Sequence, residues 1–467
     1  MPIDLRLDEA ETPLLIDLYE LTMAASYFQL GFNQPATFSL SVRRMPPRRG
    51  FLVAAGLERL LEAITAFRFD PAALEYLTSL GLFTAEFLAY LGDLRFTGEV
   101  RAMPEGTIFF ANEPLLEITA PLIEAQLLET LALNQIGVAS LIAGKAARMT
   151  IAAQGRRLFD FGLRRSQGAD AGLVAARASY LAGFIGTSNV LAGRRYGIPL
   201  YGTMAHSYVM AHEREREAFA HYAALFPRLS TLLVDTYDTA RGVEHAASIA
   251  LDLKQQGHKL QAVRIDSGDL GELSRVARRI LDRNGLQDVA IFGSGNLDEY
   301  RIAELIRAGA PIDAFGVGAE LVVSGDAPTL DAAYKLSEYA GAPRVKLSAN
   351  KASLPGRKQV FRAFNARAGF YADLIGLADE GAATVAAEFK ASPAETAALL
   401  QKRISGGNPV GARPTLAESR ERLLESIARL EQRYKELAKP ETYPVKFTRA
   451  LDAMIISERL RADQRQS

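Results

Sequence analysis

The chain has 467 residues, a length that predicts two or three domains, or one barrel with further segments attached to it. Lys and Arg together number 54, as do Asp and Glu, so no net field attracts a nucleic acid or a membrane surface, and a local cluster of cations must bind any anionic ligand. The lack of cysteine excludes disulfides, thiolate nucleophiles and cysteine-ligated zinc.

The N-terminal residues, MPIDLRLDEAETP, are acidic and lack the apolar core of a signal peptide. No stretch approaches about eighteen uninterrupted apolar residues, so a membrane-spanning helix is not expected. Hydrophobic residues make up 49% of the chain and charged residues 23%, which is typical of a globular protein in water. We therefore expect a cytoplasmic enzyme that binds neither nucleic acid nor membrane.

The first part of the chain predicts a helix-and-sheet domain at residues 1–130. Thr12-Pro13 is a typical helix start, and apolar residues then recur at helical spacing as far as residue 33. Further elements are predicted as helices at 57–66, 71–91 and 122–152, an alternating strand at 37–42, a basic Pro-rich turn at 43–49 and a small antiparallel sheet within 95–120.

After Arg156, short apolar runs alternate with helical segments, a pattern typical of parallel strands joined by helical crossovers. The six runs are RLFDFGL, IPLYGTMA, TLLVDTY, LQAVRID, DVAIFGSG and DAFGVG. Six runs in about 160 residues favour a barrel, complete or irregular, over a hairpin fold. We place this α/β barrel at residues 131–330 and keep an open doubly wound sheet as the alternative.

The remaining segments predict a return to the first domain and then a helical extension. Strands at VKLSA, QVFRAFN and FYADLIGL are expected to rejoin the sheet of the first domain, so we assign residues 331–400 to it. We assign residues 401–467 to a C-terminal helical extension, with a charged amphipathic helix at 416–438 and a second helix near 443–463.

Polar or glycine residues follow every one of the six runs. In parallel α/β folds, ligands bind beyond the carboxyl ends of the strands, and a barrel built only for stability does not need such groups there. In chain order they are Arg164, Arg165 and Gln167; His206 and Ser207; Asp235, Tyr237 and Asp238; Arg264, Asp266 and Asp269; Gly293, Ser294, Gly295 and Asn296; and Gly316 and Gly318. We therefore predict the active site at this end of the barrel.

The last two strand ends, GSG and GVG, are rich in glycine. Glycine lets backbone amides approach a phosphate closely, and amides at a helix start favour an anion. Either loop alone is equally consistent with a tight turn. At successive strand ends the two together favour phosphate binding by Gly293, Ser294, Gly295, Gly316, Gly318 and Ala319.

Three strand ends carry charged or titratable groups with a specific chemistry. Arg164 and Arg165 offer bidentate recognition of a carboxylate or phosphate, with a solvated basic pair as the alternative. Arg264 and Asp266 lie in an apolar strand, where an ion pair inside the barrel is the alternative to contacts with ribose hydroxyls or a water-bridged Mg²⁺. His206 lies among small residues, which favours a general base or nucleophile over a buried structural histidine.

Nine ordered motifs within residues 12–360 resemble those of the nicotinate phosphoribosyltransferases. They are DLYELTM, FDFGLRRSQG, GTSNVLAG, GTMAHSYVM, LLVDTYDT, VRIDSGDL, SGNLDEY, FGVGAELVVS and YKL. The resemblance implies a type II phosphoribosyltransferase, with an irregular parallel α/β barrel, a smaller mainly β domain, C-terminal helices and pairing as a homodimer. The last hundred or so residues resemble the family only loosely.

The resemblance also implies the reaction and the roles of individual residues. Nicotinate and 5-phosphoribosyl 1-diphosphate (PRPP) would give nicotinate mononucleotide and diphosphate in NAD salvage, coupled to ATP hydrolysis with Mg²⁺. His206 matches a histidine that is transiently phosphorylated, and Asp235 and Asp266 are further catalytic candidates. Tyr19 and Phe161 match aromatic residues that sandwich the pyridine ring, and the tyrosine comes from the other subunit. The nicotinate site is further assigned Arg164, Arg165, Ser188, Thr203 and Arg264.

Three positions depart from the family pattern, since Ile16 replaces a threonine, Asn296 an aspartate and Ala319 a hydroxyl residue. Backbone amides are expected to keep the phosphate site working. The nearest alternative is nicotinamide phosphoribosyltransferase, a similar family that has an aspartate where this chain has Ser188. The carboxylate of that aspartate would repel nicotinate, so Ser188 favours the acid substrate. Quinolinate phosphoribosyltransferase is a weaker alternative, because its chains are shorter. A type I phosphoribosyltransferase is also disfavoured, because VDTYDTARG only faintly resembles the PRPP loop of that family.

The same barrel is also compatible with two other classes of protein, an enzyme of another class that acts on a sugar phosphate and a non-catalytic relative. A Schiff-base aldolase needs a lysine at a strand end, and none of the six runs contains one. A non-catalytic ligand-sensing relative is expected to lose His206 or Arg264, and both residues are present.

Overall fold

A computed structural model describes residues 9–347, 353–390 and 392–466. The strands are β1 (Pro35–Val42), β2 (Leu52–Val53), β3 (Glu99–Ala102), β4 (Ile108–Phe109), β5 (Pro114–Pro121), β6 (Arg157–Asp160), β7 (Gly186–Thr187), β8 (Thr231–Leu233), β9 (Ala262–Ile265), β10 (Ala290–Ser294), β11 (Ala314–Val317), β12 (Ala332–Tyr339), β13 (Ala342–Pro343), β14 (Lys358–Phe364), β15 (Phe370–Leu377), β16 (Glu395–Ala398), β17 (Gln401–Ser405), β18 (Asn408–Pro409) and β19 (Val445–Phe447).

The α-helices are α1 (Leu18–Leu30), α2 (Leu57–Ala66), α3 (Pro71–Ser79), α4 (Ala85–Asp93), α5 (Leu122–Gln126), α6 (Glu129–Ala153), α7 (Ala169–Leu181), α8 (Val190–Tyr196), α9 (His206–Met210), α10 (Glu215–Leu225), α11 (Thr239–Gln255), α12 (Leu270–Arg283), α13 (Glu299–Arg307), α14 (Ala319–Val322), α15 (Ala382–Ala386), α16 (Leu416–Arg429), α17 (Gln432–Lys435) and α18 (Arg449–Gln466). Short 3₁₀ turns cover Glu9–Leu14, Leu163–Arg165 and Pro227–Leu229. The chain divides into two compact units, one made of residues 1–141 and 329–467 and the other of residues 142–328.

The first unit is built on a seven-stranded antiparallel sheet in the order β13-β12-β1-β5-β3-β17-β18. β12, which the sequence did not predict as a strand, returns to this sheet by pairing with β1, whereas the strands predicted at QVFRAFN and FYADLIGL do not join it. Phe38 of β1 and Tyr334 of β12 stack with ring centroids 4.9 Å apart, so the pairing is fixed by a buried aromatic contact. β14 and β15 instead form a second sheet in the order β16-β14-β15-β19, and β2 pairs with β4.

The second unit contains a six-stranded parallel sheet in the order β7-β6-β11-β10-β9-β8, with helices between the strands. The segment after Pro199 links the two edge strands. Leu200 forms a parallel bridge to Thr187 of β7, and the Tyr201 hydroxyl lies 3.1 Å from the Thr231 hydroxyl of β8. The result is the predicted irregular parallel α/β barrel, accompanied by a mainly β unit and C-terminal helices.

One of the six predicted strands is wrong. The run IPLYGTMA contributes only the isolated bridge at Leu200, and the edge position is taken by β7 from the GTSN motif. Pro199 accepts from the Thr187 amide and Tyr201 donates to the Thr187 carbonyl, but Pro199 has no N–H with which to extend this pairing. The other five runs all contain a parallel strand.

Several predicted helix boundaries are also wrong. The first helix begins at Leu18 after Asp17, and Pro13 lies in a 3₁₀ turn. The helix predicted at 71–91 is two helices, because Gly81 turns the chain at a φ of 64° and Thr84 caps the second one. Likewise 416–438 contains two helices, and the last helix begins at Arg449 because residues 445–447 form a strand. VKLSA lies partly outside the described residues, and its first three residues form no strand.

The segment Leu122–Ala153 is long and apolar enough to cross a membrane, with a mean hydropathy of 1.4 in its most apolar window. However, 67% of that window is buried inside the protein. It contains α5 and α6, whose buried residues pack as a core helix does, so the segment is no argument for a membrane protein.

Candidate active site

The strand ends of the second unit hold a hydrogen-bonded network centred on Arg264, whose guanidinium group contacts a different partner with each nitrogen. Nε donates to the Ser294 hydroxyl at 2.8 Å, Nη1 to the Thr203 hydroxyl at 2.8 Å, and Nη2 to Oδ1 of Asp266 at 2.6 Å. Ser294 in turn donates to the same Asp266 oxygen at 2.5 Å. Strand β9, strand β10 and the loop after Pro199 therefore meet at one charge centre, as the sequence predicted.

The two aspartates of this edge are held as acceptors. Burial raises the pKa of Asp266, but the charge of Arg264 and the hydrogen bonds from Ser294 and Arg264 outweigh it and lower the pKa overall. Asp235 accepts from the Asp266 amide at 2.9 Å and from the Ser267 hydroxyl at 2.6 Å through Oδ2. Its Oδ1 is buried and has no hydrogen-bond partner among the described residues. An unpartnered buried carboxylate oxygen is an available ligand for a cation or a donor group.

His206 begins helix α9, directly after the loop that carries Thr203. Its Nδ1 lies 3.1 Å from the Thr236 hydroxyl, and Thr236 directly follows Asp235, which accepts from the Asp266 amide. With Nδ1 engaged by Thr236, Nε2 is the nitrogen left to react with a ligand. The histidine predicted from the sequence is thus held in the same strand-end group as Asp235 and Asp266.

An aromatic cluster lies in the barrel beside this network. Phe161 and Tyr201 each lie nearly parallel to Phe292, with ring centroids 5.6 Å apart in both pairs. The Arg264 guanidinium lies 5.4 Å from the Phe161 ring centroid. The three rings and the guanidinium group therefore bring aromatic and cationic groups side by side, as recognition of a flat acidic ligand requires.

The two glycine-rich loops are constrained by close contacts. Gly295 has a φ of 94°, and a Cβ there would lie 2.0 Å from the Asp266 carbonyl oxygen. A Cβ on Gly316 would lie 2.6 Å from the Phe161 ring. Gly318 follows as the residue before α14, which begins at Ala319. Gly295 and Gly316 are therefore required by packing, because the backbone of one loop lies against Asp266 and that of the other against Phe161.

The predicted carboxylate-binding arginines lie in the 3₁₀ turn after β6. Both Arg164 and Arg165 are exposed, and Arg164 donates to the Phe161 carbonyl at 3.3 Å. Ser188, partly exposed, donates its amide to the Asp160 carbonyl at 2.9 Å. The structure thus places these three residues at the ends of β6 and β7 without joining them to the Arg264 network.

Tyr19 lies in the first unit, at the start of α1, and 45% of its surface is exposed. Partial burial and the charges of Glu129 and Glu20 raise the pKa of Tyr19, so its hydroxyl stays protonated. An exposed tyrosine ring is available to a ligand or a second chain.

Sequence reasoning missed three contributors to this edge. Asp160 is buried, burial raises its pKa, and it accepts from the Thr187 hydroxyl at 2.7 Å and from the Gly162 amide at 2.8 Å. Thr236, the partner of His206, and Tyr201, part of the aromatic cluster, were overlooked as well. Asp160 and Thr236 lie inside motifs already recognised, so their position next to strand ends was the available signal.

Within the described ranges, no group of three or more His, Asp or Glu side chains is arranged to hold a metal ion by itself. Any cation at this edge would therefore need ligands from a bound substrate or water as well.

A parallel α/β barrel with an arginine–aspartate pair, a histidine and glycine-rich loops at its strand ends fits an enzyme of the phosphoribosyltransferase class. Family models match the nicotinate phosphoribosyltransferase N-terminal domain at residues 14–137, the nicotinate phosphoribosyltransferase family at 156–346 and the C-terminal domain at 357–455. The chain belongs to the nicotinate phosphoribosyltransferase family.

Individual relatives agree with this assignment. The chain is 54% identical to nicotinate phosphoribosyltransferase pncB2 of Mycobacterium tuberculosis over 75% of each chain. It is 34% identical to the human nicotinate phosphoribosyltransferase, over 96% of this chain and 97% of that one. The crystal structure of human nicotinic acid phosphoribosyltransferase superposes with a TM-score of 0.84 at 32% identity, covering 94% of this chain and 99% of that chain.

Proposed function

We propose that the protein transfers the phosphoribosyl group of PRPP to nicotinate, forming nicotinate mononucleotide and diphosphate in NAD salvage, and couples this ligase-type reaction to ATP hydrolysis. The family membership gives the reaction class. The observation that carries the detail is the Arg264 network, which lies beside a stacked aromatic surface, a histidine and two glycine-rich loops. The site thus combines an aromatic platform, a cation and amide-rich loops, which suit a pyridine ring, a carboxylate and a phosphate.

Nicotinate would stack on Phe161 with its carboxylate towards cations at the same strand ends. Arg264 donates to Ser294, Thr203 and Asp266, and its guanidinium carbon lies 5.4 Å from the Phe161 ring centroid. Arg164 and Arg165 are exposed and therefore free to turn towards an anion. Ser188 adds a neutral hydroxyl where a carboxylate would repel the acid substrate, which favours nicotinate over nicotinamide.

The phosphoribosyl donor would be held by backbone amides of the loops Gly293–Asn296 and Gly316–Ala319. Ala319 offers no hydroxyl, so the amides at the start of α14 carry this contact. The Ser294 side chain is engaged by Arg264 and Asp266, so only its backbone is available to a phosphate. Asp266 remains close enough to the loop to serve a ribose hydroxyl.

His206 is the proposed acceptor of the ATP γ-phosphoryl group. Its Nε2 would attack the γ-phosphorus, the bond to the bridging oxygen would break, and ADP would leave with that oxygen. Thr236 holds Nδ1 and so fixes which nitrogen faces the ligand. Later hydrolysis of the phosphohistidine would release phosphate and restore the imidazole.

Mg²⁺ fits this edge as a partner of the substrate phosphates. The unpartnered Oδ1 of Asp235 and the carboxylate of Asp266, whose pKa is lowered, are oxygen ligands of the kind this ion prefers. When bound, the ion would neutralise phosphate charge, while the two aspartates orient the groups around it.

We further propose a cytoplasmic homodimer with shared active sites, in which Tyr19 of one subunit stacks on the nicotinate of the other. The exposure of Tyr19 supports this, because an isolated subunit leaves an aromatic ring uncovered. Mixing Tyr19→Ala subunits with His206→Ala subunits should restore part of the activity that each variant alone has lost. A mixture as inactive as its components would contradict shared sites.

The proposal is tested by supplying PRPP with nicotinate, nicotinamide or quinolinate, each with and without ATP. We expect mononucleotide from nicotinate and stimulation by ATP, with far slower use of the other two bases. His206→Asn should abolish ATP hydrolysis and ATP stimulation but leave slow transfer, and acid-labile label from γ-labelled ATP should disappear. A His206→Asn enzyme that still takes up label would exclude His206 as the acceptor.

A further inference from the structure

A buried ion cluster in the second unit lies apart from the proposed ligand contacts. The Nζ atom of Lys145, on α6, lies 2.7 Å from Oε2 of Glu299 and 2.9 Å from Oδ1 of Asp326. Lys145 is 1% exposed and Glu299 is fully buried. Arg148, one turn further along α6, donates to Oε1 of Glu299 at 3.0 Å and to the Tyr300 hydroxyl at 3.0 Å. Two cations thus face two carboxylates, which satisfies the charge balance that a buried cluster needs.

The two carboxylates lie in the segments that follow the two different glycine-rich loops. Glu299 begins α13, three residues after Asn296 of the first loop, and Asp326 follows α14, which begins directly after Gly318 of the second loop. Strands β10 and β11, which lead into the loops, are parallel neighbours. Lys145 therefore forms ion pairs with both of the segments that follow these two adjacent strand ends.

Both segments also contain a strained backbone. Asn296 has a φ of 47° and Ser324 a φ of 46°, both in the left-handed region that residues with a side chain seldom occupy. Ser324 is fully buried and lies two residues before Asp326. Such conformations cost free energy and persist only where surrounding contacts hold them. The ion pairs at Glu299 and Asp326 are contacts of that kind, one for each segment.

We propose that Lys145 is a positioning residue that holds the two glycine-rich loops in register with each other. The consequence for PRPP rests on the proposed role of these loops as its phosphate site. Phosphate contacts through backbone amides depend on the spacing of both loops, because neither loop has a charged side chain of its own to compensate for a displacement. Lys145 touches no proposed ligand and acts only through the two carboxylates.

The test compares Asp326→Asn, Lys145→Met and Lys145→Arg with a matched control, Asp288→Asn. Asp288 pairs with Lys259 at the same distance of 2.9 Å, but it precedes β10 and so lies at the other end of that strand. Asp326→Asn is the gentler change, since Glu299 keeps both Lys145 and Arg148. Circular dichroism establishes that each variant is folded before it is assayed.

We expect Lys145→Met to raise the KM for PRPP about tenfold and to change the KM for nicotinate less than twofold, because only the loops are displaced. Asp326→Asn should show a smaller rise, Lys145→Arg should recover most of the loss, and Asp288→Asn should behave as wild type. Hydrogen exchange should accelerate in residues 293–299 and 316–326 of Lys145→Met, and only in 316–326 of Asp326→Asn.

Folded Lys145→Met and Asp326→Asn enzymes with wild-type exchange in both segments would overturn the proposal, as would an equal rise in both KM values. Faster exchange with an unchanged KM for PRPP would support the positioning role and instead overturn the assignment of the loops to phosphate binding. The two proposals therefore fail separately.

Discussion

Each unit contains an arginine–aspartate pair beneath an aromatic ring, and the two pairs differ in what surrounds them. In the first unit, Arg362 donates to Asp373 through Nε and Nη2, and both side chains are 2% exposed or less. In the second unit, Arg264 and Asp266 are 11% and 29% exposed. The guanidinium groups lie 4.4 Å from the Phe370 ring and 5.4 Å from the Phe161 ring, respectively.

The difference lies in the remaining partners. Nη1 of Arg362 donates to the Ile108 carbonyl, and the Tyr443 hydroxyl donates to Asp373 at 3.1 Å, so the C-terminal segment is fastened to the sheet. Arg264 instead donates through Nε and Nη1 to the hydroxyls of Ser294 and Thr203. Hydroxyls rotate and both donate and accept, so the second pair can adapt to a ligand while the first cannot. The same kind of ion pair is thus closed off by fixed partners in the first unit, whereas in the second it has the adaptable partners that the proposed recognition of nicotinate requires.

We call Arg362–Asp373 the closed pair and Arg264–Asp266 the open pair. The largest effect is expected from breaking the closed pair. Arg362→Met would leave Asp373 as an unpaired buried charge and should cost about 3–5 kcal/mol of unfolding free energy. Urea denaturation of Arg362→Met and Arg264→Met measures the contrast, since the second variant should lose clearly less. Equal losses in the two variants would contradict the division of roles.

Breaking the open pair should act on catalysis. Arg264→Met removes a cation beside Phe161 and frees Asp266, and we expect kcat/KM for nicotinate to fall about 100-fold. Steady-state kinetics with nicotinate and PRPP measure the fall, and the protein should remain folded by circular dichroism. Arg362→Lys, which keeps the buried charge, is the matched control, and near-normal kcat/KM is expected for the molecules that remain folded. An Arg264→Met enzyme with wild-type kcat/KM would refute the assignment.

The exposed arginines extend the comparison to a third environment. Arg164→Ala and Arg165→Ala should not change the unfolding free energy measurably, because neither side chain is buried. If one of them holds the nicotinate carboxylate, its loss should cost about 2 kcal/mol of binding, or roughly a 30-fold rise in the KM for nicotinate. The KM values for nicotinate and nicotinamide measured on both variants decide this. Unchanged nicotinate affinity in both would remove these arginines from the site.

The smallest effect concerns pH and the closed pair. Burial, the charge of Asp373 and a hydrogen bond to Asp373 raise the pKa of Glu113 well above its usual 4.5, which favours the protonated form beside that carboxylate. A raised pKa gives stability that is complete below about pH 4.5 and is lost as the pH rises through the folded-state value, at most about 1.4 kcal/mol for each pH unit. Glu113→Gln mimics the protonated form and should therefore gain stability relative to wild type as the pH rises.

The measurement is the denaturation midpoint of wild type and of Glu113→Gln between about pH 4 and 9. We expect the two midpoints to move apart as the pH rises. Glu117→Gln is the control, because Glu117 is also buried but has a cation as its partner, with Lys358 Nζ 3.1 Å from its Oε1. Parallel curves for wild type and Glu113→Gln would mean that Glu113 does not hold a proton at neutral pH.

The sequence by itself determined the local features, because hydrophobic periodicity and strand-end chemistry are written in short segments. It predicted five of the parallel strands and helix α2 with its bounds, and it singled out His206, Asp235, Arg264 and Asp266, which the structure brings to one edge. Boundaries failed where a cap or a glycine turn outweighed periodicity, as at Asp17 and Gly81.

Only the tertiary structure decided what depends on distant partners. No local pattern shows that the run after Ile198 forms a single bridge, that Ser294 is engaged by Arg264, or that Lys145 pairs with carboxylates more than 150 residues away in the chain. A buried charge is stable only where the fold supplies its counter-charge, and the identity of that counter-charge is set by packing between segments. The chemistry of the site could therefore be predicted residue by residue, whereas its geometry had to come from the folded chain.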